Sequence, residues 1–170
     1  ELIGKILSTP IEPDIFLMVK VSVEPEPLLC KTTPLKKIED DRGKLLHMLQ
    51  TGSNVFEKFG EIYFSYTNLN IIKGWYRHKK NSLNIAVIFG ECKFVLYDTR
   101  QSSPTKNNIL NIKLSLQNYY LLTIPPMIWY GFKSIGDKQS IIANCTTLPH
   151  SSNEMDRLTI NTKKIPYKWS

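Results

Sequence analysis

The sequence predicts an all-β sandwich or barrel built from many short strands. Three observations support this. Apolar and polar residues alternate with a period of two in several runs, as they do in strands with one buried face. Turn signals separate these runs at strand-like intervals of roughly 8–12 residues. Five prolines in the first 35 residues exclude a long helix there. The jelly roll is one member of this class.

The individual strands follow from the same patterns. Residues 62–67, 92–97 and 110–116 alternate cleanly, so we expect each to bury one face. Residues 83–89 and 139–145 are more continuously apolar, which is typical of central strands.

Two segments have helical features. Ser151 and Glu154 have the spacing of a capping box, which predicts a short helix over residues 151–157. Residues 41–49 are a second helical candidate by propensity, although Gly43 opposes it.

Composition and charge narrow the function. A chain of 170 residues with 42% hydrophobic and 22% charged residues is typical of one globular domain. The net charge of +7 suits an anionic ligand such as a phosphate or diphosphate. The basic residues are scattered along the chain, so we expect no nucleic-acid partner.

The cysteines and the lengths of the apolar runs bear on the cellular location of the protein. Cys30, Cys92 and Cys145 are an odd number without CxxC spacing, which argues against a disulfide framework and favours a reducing, cytoplasmic location. The apolar runs are far shorter than the roughly 20 residues of a membrane helix, so no membrane association is expected. The first five residues do not have the pattern of a signal peptide.

Metal and cofactor signatures are missing from the sequence. The three histidines form no HxH pair, so we expect no metal site. The chain contains neither a P-loop nor a GxGxxG motif, so no cofactor is expected.

The most unusual segment is residues 73–80, which places a phenol and an imidazole among four cations. In a regular strand, Tyr76 and His78 would share one face, and Lys73 and Trp75 would lie on the other. This segment is either part of a site or a solvated, lysine-rich edge strand.

Two further pairs are candidates for ligand contacts. Asp98 and Arg100 lie two residues apart and point the same way, so they either pair with each other or Arg100 binds a phosphate. Trp129 and Tyr130 are suited to stacking on a sugar or base, or to packing in a core.

Four segments, taken in order, resemble the dTDP-4-dehydrorhamnose 3,5-epimerases, which are cupin-fold enzymes of deoxysugar-nucleotide synthesis. Residues 40–43 are similar to the family's D-x-R-G, and residues 73–76 stand where the family has R-G-L-H. Residues 90–105 resemble G-x-V-x-D-V-x-V-D-x-R-x-x-S-P-T, and residues 124–132 resemble I-P-x-G-x-A-H-G-F. The tail, up to Trp169, also echoes the family pattern.

The resemblance implies a single cupin-type jelly-roll domain over residues 1–170 that forms a homodimer. Residues 1–35 would be a proline-rich arm that covers a sheet edge or reaches across to a partner subunit. Residues 36–170 would be the jelly-roll core.

The departures from the family pattern concern its catalytic positions. The family's general-base histidine falls on Tyr76, the aspartate that orients it on Thr162, and the tyrosine acid on Ala143. An active-site lysine falls on Leu83, and the histidine before Gly-Phe falls on Tyr130. An alanine cannot donate a proton, so the usual 3,5-epimerase mechanism is not expected here.

The positions at which the family binds its substrate are closer to the family pattern than the catalytic positions are. Arg42 matches an arginine that the family uses on the nucleotide sugar, Lys73 keeps the charge of a family arginine, and Glu61 replaces a glutamine that contacts the nucleotide. We therefore predict substrate-binding roles for these three residues and for Asp98, Arg100 and Tyr130, and catalytic roles for Tyr76 and His78.

The resulting hypothesis is a divergent sugar-nucleotide epimerase or isomerase. Its substrate would be a nucleoside-diphosphate 4-keto-6-deoxy sugar used in surface-polysaccharide biosynthesis. One alternative is a non-catalytic cupin homologue that binds a nucleotide sugar or glycan. Another is a cupin enzyme with unrelated chemistry.

Overall fold

The computed structural model describes residues 30–169, which form twelve strands and one 3₁₀ turn. The strands are β1 (Lys31–Pro34), β2 (Lys37–Asp40), β3 (Gly43–Leu46), β4 (Glu61–Thr67), β5 (Ile72–His78), β6 (Leu83–Phe89), β7 (Glu91–Asp98), β8 (Ile109–Ser115), β9 (Tyr120–Ile124), β10 (Ile128–Ile135), β11 (Ser140–Thr146) and β12 (Met155–Arg157). No helix in the described part of the chain is long and apolar enough to cross a membrane.

Two five-stranded antiparallel sheets make up the sandwich. The first has the strand order β1-β9-β6-β11-β4, and the second has the order β12-β5-β10-β7-β8. Strands β2 and β3 form a separate hairpin. The all-β sandwich predicted from the alternation is therefore confirmed, with strands at all five predicted runs. It also agrees with the cupin-type fold that the resemblance implies.

The main core lies between the two sheets. Ile85 and Leu122 of the first sheet pack against Phe94 and Phe132 of the second. The alternation in residues 92–97 places Cys92, Phe94 and Leu96 in this core. The opposite face of β7 is buried too, because a second cluster covers it: Trp75, Val95, Tyr97, Trp129, Ile165, Leu158, Tyr167 and Trp169. The C-terminal segment thus closes the outer face of the second sheet.

The predicted helix over residues 151–157 is wrong. Only Ser152–Glu154 forms a single 3₁₀ turn, and β12 follows it directly. The Ser151 side chain makes no capping hydrogen bond. Instead, the Glu154 carboxylate accepts hydrogen bonds from the backbone amides of Lys80 and Asn81 at 2.7 and 2.8 Å. These distant partners outweigh the local capping signal.

The helical candidate at residues 41–49 is also wrong. Strands β2 and β3 pair antiparallel across a tight turn at Asp41 and Arg42. Gly43 follows this turn with a φ of +135°, a region that side chains other than glycine disfavour. The turn of the hairpin requires this positive φ, which accounts for the glycine at position 43.

The regular alternation predicted for β5 does not hold. Tyr76 pairs with Tyr130 of β10, but Lys73 pairs with Phe132, so β5 has one extra residue between these pairs. This bulge places Lys73 on the same face as Tyr76, whereas Trp75 is buried on the opposite face. The edge-strand alternative is also wrong, because β5 lies between β12 and β10.

The start of the described chain belongs to the first sheet. Residues 31–34, which the sequence assigned to the arm, form β1 and pair with β9 at the sheet edge. The jelly-roll core therefore begins before residue 36. The rest of the predicted arm, residues 1–29, lies outside the described residues.

Candidate active site

A cavity of about 550 Å³ opens between the two sheets. Its base is apolar and includes Ile85, Phe94 and Phe132. Polar side chains project into it from both walls, and four of the predicted site residues are among them: Glu61, Lys73, Tyr76 and Tyr130. An apolar pocket with a few converging polar groups is the usual form of a small-molecule site.

The wall formed by the second sheet carries two phenols and an ammonium. The rings of Tyr76 and Tyr130 lie 5.7 Å apart, and the guanidinium of Arg157 lies 5.7 Å from the centre of the Tyr76 ring. Lys73 Nζ donates to Ser65 Oγ at 3.1 Å and to the Tyr66 carbonyl at 2.6 Å. An ammonium has three hydrogens, so a third donor remains for a ligand.

The facing wall belongs to the first sheet. Asn144 donates to the hydroxyl of Tyr63 at 2.6 Å. Glu61 lies two residues before Tyr63 on β4, so the two side chains share a face of the strand. Burial raises the pKa of the Tyr63 phenol, so it is protonated at neutral pH. The cavity therefore presents neutral phenols from both sides.

A chain of side chains runs from the cavity surface into the protein. Tyr130 lines the cavity, and its hydroxyl lies 3.3 Å from Nε2 of His78. The other ring nitrogen of His78, Nδ1, lies 2.5 Å from a carboxylate oxygen of Glu154. The predicted catalytic residue His78 is thus behind Tyr130 rather than among the residues that line the main cavity.

Asp98 and Arg100 form a structural network away from this cavity. The Asp98 side chain has no solvent exposure and pairs with Arg100 at 2.8 Å. The hydroxyls of Ser103 and Thr105 also donate to it, at 2.6 and 2.7 Å. Of the two alternatives from the sequence, the structure shows the ion pair; neither residue lines the cavity.

Arg42 also lies away from the cavity of its own chain. It is on the β2–β3 hairpin, where its side chain is 86% exposed and pairs with Asp40 at 2.7 Å. Within a single chain, Arg42 is therefore not brought to the cavity where its predicted substrate-binding role would place it.

Comparison with known proteins identifies the family. Residues 30–170 match the family model of dTDP-4-dehydrorhamnose 3,5-epimerase. The chain belongs to this family.

Individual relatives are similar to this chain in sequence, and a solved structure is similar to it in fold as well. The crystal structure of a dTDP sugar isomerase from Desulfovibrio desulfuricans G20 is 40% identical, with a TM-score of 0.81 over 82% of this chain and 90% of that one. A probable low-salt glycan biosynthesis epimerase, Agl13, from Haloferax volcanii is 29% identical over 75% of this chain and 80% of its own length. The spore coat polysaccharide biosynthesis protein SpsL of Bacillus subtilis is 28% identical over 82% and 94%.

Three of the positions where the resemblance places family catalytic groups are not part of this cavity. Ala143 packs in a cluster with Val55 and Tyr119, and Leu83 packs in the main core. Thr162 lies in the segment that borders the outer surface of β5, with Ile72 and Tyr167. The chain thus keeps the family fold, and the two other positions, Tyr76 and Tyr130, carry phenols into the cavity.

Sequence reasoning missed five polar residues that line the cavity and one that lies behind it. The first five are Tyr63, Ser65, Asn144, His150 and Arg157, and the sixth is Glu154. The alternation of β4 contained a usable signal, because Tyr63 and Ser65 share a face with Glu61. No local signal identifies Glu154, whose partner His78 is 76 residues away in the sequence.

Proposed function

We propose that the protein is a sugar-nucleotide epimerase or isomerase that acts on a nucleoside-diphosphate 4-keto-6-deoxy sugar in surface-polysaccharide biosynthesis. The observation that carries this proposal is the cavity with phenols on both walls. Tyr130 and Tyr76 project from one sheet, and Tyr63 projects from the other. Epimerisation beside a ketone requires proton transfer at the faces of a sugar ring, and a ring between these walls meets a phenol on either side.

Lys73 supplies the second requirement of such a reaction. Removal of a proton beside a ketone places negative charge on the ketone oxygen. The Lys73 ammonium lies in the same cavity with a donor left for that oxygen, and fixed donors aimed at developing charge are a major source of rate acceleration.

Charge at the cavity favours a diphosphate-linked substrate. Arg157 lines the cavity beside Tyr76, so guanidinium and ammonium groups are both present for a phosphate. Glu61 is the opposing carboxylate on the facing wall, and we propose that it contacts a hydroxyl or the base rather than the diphosphate. The glycan and polysaccharide roles in the relatives' names agree with this substrate class.

We also propose that the protein works as a homodimer in the cytoplasm, with a nucleotide sugar as its small-molecule partner. The family resemblance supports the dimer, and three buried cysteines without CxxC spacing agree with a reducing compartment.

A non-catalytic role is the second candidate, and one observation favours it. Ala143 and Leu83 stand at positions where the family has an acid and a lysine, and their side chains pack in cores rather than in the cavity. A homologue that only binds a nucleotide sugar or glycan would tolerate this.

Proton exchange distinguishes the two roles. The protein is incubated with dTDP-4-keto-6-deoxyglucose in D₂O, and C3 and C5 of the sugar are followed by NMR together with ligand-observed binding signals. We expect deuterium at one or both carbons, and the labelled carbon identifies the position that faces the phenols. Binding without exchange would establish the non-catalytic role. The absence of both binding and exchange would exclude this substrate.

A further inference from the structure

We propose that Tyr130, His78 and Glu154 form a proton relay in which Tyr130 is the catalytic residue and the other two act through it. Tyr130 takes the proton from the sugar carbon, and His78, oriented by Glu154, receives the phenolic proton. This inference rests on the proposed function and names the groups that carry it out.

The first support is the geometry. Tyr130 reaches the cavity surface, while the side chains of His78 and Glu154 are only 11% and 12% exposed. The contacts of 3.3 Å and 2.5 Å connect the three groups in a line from the cavity inwards. His78 is therefore sheltered from solvent, and its Nε2 faces the Tyr130 hydroxyl.

The second support is the tautomer that the contacts impose. Glu154 is fixed by the backbone amides of Lys80 and Asn81 on one oxygen, and its other oxygen faces Nδ1 of His78. A carboxylate only accepts hydrogen bonds, so Nδ1 carries the proton and Nε2 of the neutral ring is an acceptor. The Tyr130 hydroxyl then donates to Nε2, as the serine nucleophile donates to the histidine of a catalytic triad.

The charge states agree with this arrangement. Burial acts to raise the pKa of the Glu154 carboxyl, but the hydrogen bonds from Lys80, His78 and Asn81 outweigh it and lower the pKa. Burial raises the pKa of the Tyr130 phenol well above its usual range. Tyr130 is therefore neutral before reaction and needs a group that removes its proton as it becomes a base.

Tyr76 lacks these connections. Its ring contacts Tyr130 and lies under Arg157, but its hydroxyl makes no hydrogen bond within the described part of the chain. We therefore assign Tyr76 to the cavity surface that holds the sugar and Tyr130 to proton transfer.

The step balances as follows. The Tyr130 oxygen binds the proton of the carbon beside the ketone, the C–H bond breaks, and its electron pair forms the enolate. The original phenolic proton moves to Nε2 of His78, and the Glu154 carboxylate stabilises the resulting imidazolium. Return of the proton from Tyr130 to the same face reverses both transfers and regenerates the substrate. Protonation of the opposite face by Tyr63 gives the epimer, and the Tyr63 phenolate and the His78 imidazolium then return to neutrality by proton exchange with water.

Three variants test the relay in the exchange assay. Tyr130→Phe removes the exchanging oxygen, and we expect the rate to fall by about 10²–10⁴-fold while nucleotide-sugar binding is kept. In Glu154→Gln, the amide donates to Nδ1 and moves the proton of the neutral ring to Nε2, so kcat should fall with little change in KM. Tyr119→Phe is the matched control, because it removes a buried hydroxyl that donates to the His47 carbonyl, remote from the cavity.

A ¹⁵N NMR measurement of His78 keeps the test independent of substrate and of variant folding. We expect the wild-type ring to be protonated at Nδ1 and unprotonated at Nε2. A proton on Nε2 of neutral wild-type His78 would overturn the relay. So would wild-type exchange rates in Tyr130→Phe.

The failure of the proposed function has a different signature. If the wild type shows no exchange at either carbon, the proposed reaction fails with this substrate, and no variant comparison is needed to see it. If the wild type exchanges and Tyr130→Phe and Glu154→Gln exchange equally fast, the reaction stands and the relay is refuted.

Discussion

Asp98 illustrates how a single buried side chain stabilises the sandwich away from the site. Burial acts to raise its pKa, but hydrogen bonds from Arg100, Ser103 and Thr105 outweigh it and hold the pKa well below the usual range. A lowered folded-state pKa means that the carboxylate stabilises the fold above its unfolded value of about 4, and that this contribution is lost as the pH falls towards the folded value.

We expect Asp98→Asn to lower the free energy of unfolding at neutral pH by about 3 kcal/mol, the lower end for a broken buried pair because Arg100 keeps partial contact with water. The difference from the wild type should shrink below about pH 4, since asparagine does not titrate. Denaturant unfolding at several pH values measures both effects.

Asp40→Asn is the matched control, because it breaks an Asp–Arg pair of the same 2-residue spacing on the exposed hairpin. It should leave stability nearly unchanged. A constant difference between Asp98→Asn and wild type from pH 7 to pH 3 would contradict the account of Asp98.

At the scale of elements, the sequence predicted the regular strands but not the bulge in β5 or the turn before β12. Period-two alternation identified the strands because each buries a face against the same core. The bulge in β5 is completed by pairing with β10, and its one local signal, a glycine within the strand, does not by itself place Lys73 on the cavity face. The turn before β12 was missed for a similar reason, because Glu154 is held by groups some 75 residues away.

Gly74 makes the bulge in β5 possible. Its φ is +153°, and an added Cβ would lie 2.8 Å from the Cα of Gly131 in β10. We expect Gly74→Ala to destabilise the protein by about 1–3 kcal/mol and to reduce substrate binding, because Lys73 and Tyr76 on either side of it would lose their common face. Thermal unfolding and ligand titration measure the two effects.

Gly52→Ala is the control for Gly74, since a Cβ there would meet no atom within 4 Å. It should fold and bind as the wild type does. If Gly74→Ala retained wild-type affinity, the bulge would not be what positions Lys73.

At the scale of the whole molecule, Arg42 is a predicted site residue that lies away from the cavity and in solvent. Glu61, Lys73, Tyr76 and Tyr130 converge on one cavity, whereas Arg42 extends into solvent from the hairpin. The motif that carries Arg42 supports a role on the nucleotide sugar, and in a homodimer an exposed side chain of one copy can complete the cavity of the other. We therefore expect Arg42 to act across the proposed dimer.

Mixing two inactive variants tests this expectation. Arg42→Ala and Tyr130→Phe are each weak alone, but a mixed dimer holds one cavity with its own Tyr130 and the arginine of the partner. Unfolding and refolding the two together in equal amounts should restore about one quarter of wild-type exchange, because half of the dimers then carry one intact site. If Arg42 served its own chain, the mixture would gain nothing over the separate variants. A monomeric mass by light scattering would also rule out the shared site.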